Sequence, residues 1–163
     1  MAMPRPKGVM HPVILQVSKA GGDYSFRPQS DLWDEQRDEF LFQKDRHGMR
    51  KHDYHLLEFT LDDRTGEGLK FPNNPHDAMW LAAGDEPGKR VCPDMNTVSD
   101  YRVMEPICVS PDRKRLIVRN DNPTQEHWVF TLNFVKPGED EIDREHYINW
   151  DPGGNNQNGG SHA

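Results

Sequence analysis

The sequence predicts an all-β chain folded as an antiparallel Greek-key β-sandwich. Two observations carry this. Apolar side chains recur with a period of two rather than 3.6, the spacing of a half-buried strand. Clusters of Gly, Pro, Asn, Asp and Ser cut the chain into many short segments, the rhythm of a sandwich or barrel.

The elements follow in order. Pro12 to Val17 turns Val13, Leu15 and Val17 to one face. Ser30 or Asp31 is placed to cap a short helix across 31–42, with Asp34 and Glu35 in its first turn; the alternation of Phe40 and Phe42 supports a strand there nearly as well. Tyr54 to Leu61 puts His55, Leu57, Phe59 and Leu61 on one face. Ala78 to Ala83 and Tyr101 to Val109 are shorter or interrupted strands, Pro106 marking a bulge or an edge. Arg115 to Arg119 and His127 to Val135 flank the turn residues Asn120 to Thr124 and read as an antiparallel hairpin. In the second of these, Trp128, Phe130, Leu132 and Phe134 make one aromatic face. Tyr147, Ile148 and Trp150 supply a last strand.

The domain organisation is then a flexible N-terminus over 1–10, a single sandwich domain over 11–150 and a flexible Gly/Asn-rich tail over 151–163. The polar ends account for a hydrophobic share of only 34 % in 163 residues.

Composition narrows the function. Twenty basic residues against 27 acidic ones give a net charge of -7, so no nucleic-acid partner is expected. The basic runs Arg46 to Lys51 and Arg113 to Arg119 read as solvated hairpin edges. No apolar run approaches the roughly 20 residues of a membrane span, so no membrane partner is expected. Pro4, Pro6 and Gly8 stand where a secretory signal would need an apolar run. Cys92 and Cys108 are expected as free thiols, and the chain as cytoplasmic.

Nucleophile-elbow, P-loop, dinucleotide-binding and zincin motifs are missing. The candidate metal ligands are His52, His55 and Cys92. In a strand, a three-residue spacing sends His52 and His55 to opposite faces, so a shared metal needs a bulge or loop between them. His76-Asp77 sits in a turn, Asp62-Asp63 is the most visible carboxylate pair, and His127 points away from the aromatic face. Of the four tryptophans, Trp80 and Trp128 read as core, and Trp150 as the one exposed or closing over a cleft.

Cys92-Pro93-Asp94-Met95 sets a cysteine and a methionine on one loop. Here the chain resembles the cupredoxin family, whose copper site joins two His, one Cys and a weak axial Met. Its strand spacing is similar to immunoglobulin-like sandwiches as well. The closing segment, Leu116 to Phe134 and then Tyr147 to Pro152, resembles the end of small uncharacterised bacterial proteins of this type. Those close with an aromatic alternating strand and an Asp-Pro…Asn element, here Asp151-Pro152…Asn155. The resemblance covers residues 54–155 and implies a fold but no activity. The copper site departs from it: cupredoxins place Cys, His and Met within a short span, whereas no histidine follows Cys92 or Cys108 before His127.

The resulting expectation is a non-catalytic binding or assembly module, acting through a protein partner or self-association. No cofactor, catalytic residue or cofactor-binding residue is expected. The alternatives are a metal-binding or redox sandwich using His52, His55, Cys92 or Met95, and a loop-sited hydrolase.

Overall fold

The computed structural model describes residues 5–44, 47–83, 93–97, 99, 101, 104–121, 126–138 and 144–157. Two long strands start the fold. In β1 (Gly8–Ala20) the period of two buries His11, Val13, Leu15 and Val17. After β2 (Asp23–Gln29), β3 (Trp33–Asp34) and β4 (Glu39–Gln43), the same period in β5 (Tyr54–Asp63) buries His55, Leu57, Phe59 and Leu61. A one-turn helix, α1 (Pro75–Ala78), leads into β6 (Met79–Ala83). β7 (Met104–Val109), β8 (Arg115–Asn120), β9 (Glu126–Phe134), β10 (Ile148–Trp150) and β11 (Gly153–Gln157) complete the described strands.

The described residues are mostly β, arranged in two sheets. One has the order β2-β1-β5-β8-β7; the other runs β10-β9-β11-β4-β3, with β6 paired to β9. A single apolar cluster draws on both sheets, so they bury their inner faces against each other. Phe40 is its hub. It meets Phe59 of the opposite sheet at a centroid distance of 5.7 Å and its own neighbours Phe130 and Trp33 at 6.0 and 4.9 Å.

Several expectations need correction. First, pairing is not wholly antiparallel: β1 runs parallel to β5, and β4 parallel to β11. Second, residues 31–42 hold no helix. Asp34 accepts hydrogen bonds from the backbone N–H groups of Gln36 and Arg37, and Asp38 takes a φ of 56°, so the chain turns back as the β3–β4 pair. In the β4 strand that follows, the period of two lets both Phe40 and Phe42 face the core.

Third, β8 and β9 are not a hairpin. β8 pairs with β5 and β7, whereas β9 lies in the other sheet. Each has an apolar inner face, and these faces are buried by stacking across the interior rather than by edge pairing. The hairpin is β7–β8, closed by Ser110 to Arg115 with Arg113 at a φ of 61°. β7 is an edge strand with a register shift between Pro106 and Cys108, so the proline marks both features expected of it.

Fourth, part of the expected tail is a strand. β11 lies between β9 and β4, and its Gly/Asn backbone fills the hydrogen-bonding positions that those strands would otherwise leave open. Trp150 is also not exposed; it is buried beside Phe26 and Trp33. Among the described residues, no helix is long and apolar enough to cross a membrane.

Candidate metal centre

One end of the interior is polar. His11 and His55 head the two inward rows of the parallel β1–β5 pair, where the register sets Val9 opposite His55 and His11 opposite Leu57. His11 Nε2 and His55 Nδ1 share a hydrogen bond of 3.0 Å. Phe42 lies edge-on to His55 at 5.1 Å and packs on Trp128 at 5.7 Å. Both His55 Nε2 and the Trp128 indole N–H are buried without a hydrogen-bond partner among the described residues.

Two loops add further donors. The segment between β2 and β3 is fixed by Ser30, whose hydroxyl accepts from Leu32 N–H at 3.1 Å while its carbonyl accepts from Trp33 N–H at 3.2 Å. Leu32 is thereby buried and Asp31 left exposed. The segment between β4 and β5 is tied at several points. The backbone N–H groups of His47 and Met49 both donate to the Lys44 carbonyl, and buried Lys44 Nζ donates to the Lys51 carbonyl at 2.6 Å. Asp53 accepts from Arg50 N–H at 2.8 Å and Lys7 N–H at 2.9 Å, which hold its carboxyl below the usual carboxylate range. The loop so braced sets the His47 ring 4.7 Å from His11 and 6.2 Å from His55.

The outcome is a cluster of His11, Asp31 and His47, each offering one ligand atom within 4.8 Å of the others. Metal bonds of about 2.1 Å at 90° to 180° separate donors by roughly 3.0–4.2 Å, a spacing slightly tighter than the 4.8 Å within which this set lies. Burial pushes His11 down to about 4, with the positive charge of His47 adding to the effect and Asp31 opposing it. Burial pushes His55 down to about 3, helped by the charges of His11, His47 and Lys44. Both rings are therefore neutral near pH 7, the form a metal requires.

Of the candidate ligands singled out from sequence, His55 is the one among the described residues that lies beside this cluster, hydrogen-bonded to His11. His52 is an exposed turn residue, and Cys92 lies outside the described residues. Cys108 is a free, exposed thiol on β7. Met95 and Trp80 line a separate cleft of about 290 Å³ with Asp94, Arg144 and Asp151. The hydrolase candidates diverge: His76 faces Glu105 at 3.6 Å, Asp77 pairs with Arg144 at 3.0 Å, Asp62 pairs with Arg64, and Asp63 turns to Thr65 and Leu69. His127 is in β9 by its backbone. Sequence reasoning missed His11, Asp31 and His47. The signal for His11 was present, since it continues the alternation of Val13, Leu15 and Val17.

No family model matches the chain, and a search of curated proteins finds no match.

The two depressed histidines predict an acid-sensitive fold. Unfolded imidazoles titrate near 6.5, whereas these take protons only near 4 and 3. Their contribution is complete above about pH 6.5 and is lost as pH falls toward the folded values. With chelator present, urea denaturation should show a loss of roughly 2–4 kcal/mol between pH 7 and pH 5. His55→Phe should flatten that slope; a wild-type midpoint indifferent to pH over this range would contradict neutral burial.

Proposed function

We propose that this chain is a metal-binding β-sandwich protein whose site is His11, Asp31 and His47, backed by His55. The observation that carries the reading is the convergence of the three donors within 4.8 Å beside a neutral, buried second imidazole. The donors are nitrogen and oxygen, which suits a divalent first-row ion such as Zn²⁺, Co²⁺ or Fe²⁺ rather than Cu(I). His55 is a positioning residue: a ligating His11 keeps its other ring nitrogen for a hydrogen bond that fixes its orientation. The parallel β1–β5 and β4–β11 pairs depart from the all-antiparallel immunoglobulin arrangement and favour the cupredoxin-like reading of the sandwich. The donor set is not that of a blue-copper carrier, because no thiolate joins it among the described residues.

Dialysed against Zn²⁺ and washed, the tag-free protein should retain one equivalent by elemental analysis. His11→Gln and His47→Ala should each abolish that equivalent, and His52→Ala should keep it. His55→Phe should weaken binding by about 10–100-fold. Full retention in the His11→Gln/His47→Ala double variant would overturn the assignment.

A second reading, assembly through a protein partner or a second copy, is favoured by one observation. Met10 and Ile14 are 46 % and 44 % exposed on the outward side of β1, a central strand where polar residues are usual. Under this reading light scattering detects a dimer that Ile14→Lys converts to monomer; a monomeric wild type at high concentration would remove self-association.

A further inference from the structure

We propose that a metal held by His11, Asp31 and His47 keeps a coordination position open to solvent, where it takes a small anion or hydroxide. This rests on the metal-binding reading above and adds to it the class of ligand that the site accepts.

Three features of the cluster carry the inference. The first is the donor set. Two histidines and one carboxylate are typical of centres that leave positions free for an exogenous ligand, whereas closed structural sites supply four protein donors. The second is the geometry of the nearest fourth donor. His55 is the obvious candidate to close the set, yet its Nδ1 is engaged with His11 Nε2 at 3.0 Å and its ring stands 6.2 Å from His47. Its remaining nitrogen, Nε2, is buried without a partner among the described residues. His55 has no ligand atom in the set within 4.8 Å, so it orients His11 from the interior side instead of sharing the ion.

The third is the direction in which the cluster opens. His11 is 3 % exposed, His47 is intermediate and Asp31 is exposed, so the donors form a cup with its floor in the core and its rim in water. A fourth ligand enters over the rim without disturbing the sheets. Charge favours an anion there. Imidazoles coordinate in their neutral form, so two of them and one carboxylate leave a divalent ion with one net positive charge. Binding is a simple exchange: the anion's lone pair forms a bond to the metal, and a bound water leaves.

Cobalt(II) and azide test this on the full chain. One equivalent of Co²⁺ is loaded, and the visible cobalt bands are followed as sodium azide is added. The expected result is a saturable shift of the bands, reversed by dialysis. One equivalent of cobalt whose bands ignore azide would mean a closed site and overturn the proposal, leaving metal binding intact. An azide response seen only in His55→Phe would make His55 the fourth ligand, with the same consequence. Failure to bind any cobalt or zinc would remove the underlying site and this inference with it.

Discussion

The alternation of side chains along β1 and β5 sends a histidine into the interior at the head of each buried row. The two strands run parallel with the histidines staggered by two residues, and the imidazoles hydrogen-bond to each other. Everything at this end of the fold answers to that pair. Burial disfavours charge on either ring, so both stay neutral at physiological pH. Two neutral imidazoles also leave polar atoms over. One of them, His55 Nε2, is unpartnered among the described residues, at a typical cost of about 1–3 kcal/mol.

The rest of the fold is built so that this cost is tolerable. Away from the histidines the interior is a continuous aromatic stack running through Phe59, Phe40, Phe130 and Trp150, which spans both sheets. The loops that cap the polar end are stiffened by short-range hydrogen bonds at Ser30, Lys44 and Asp53, and they bring Asp31 and His47 to the mouth of the pair. A bound cation engages only this folded arrangement, so it would stabilise the native chain by linkage. The least satisfied part of the core and the proposed site are then the same place.

The strand content was legible because its cause is local. Val13, Leu15 and Val17, or Trp128, Phe130 and Leu132, alternate in the sequence itself. What escaped was long-range. Nothing in the run Arg115 to Arg119 says whether its partner is the next strand or one before it. The parallel pairing of β11 with β4 joins Gly/Asn-rich chain to aromatic chain with no compositional hint. The turn at Asp38 depends on a positive φ that its neighbours do not advertise. The candidate site divides in the same way. His55 could be picked out on its strand face, but His47 lay inside a basic run that reads as a solvated edge. Asp31 read as a helix cap, and its proximity to His11 depends on the fold of three separate segments.

The most direct measurement is a crystal structure of the Zn²⁺-soaked protein, with anomalous differences recorded on both sides of the zinc edge. The account predicts one strong peak within bonding distance, about 2.0–2.2 Å, of nitrogens from His11 and His47 and an oxygen of Asp31. It also predicts that His55 remains hydrogen-bonded to His11. A peak lying elsewhere, or none at this cluster at full zinc saturation, would contradict it.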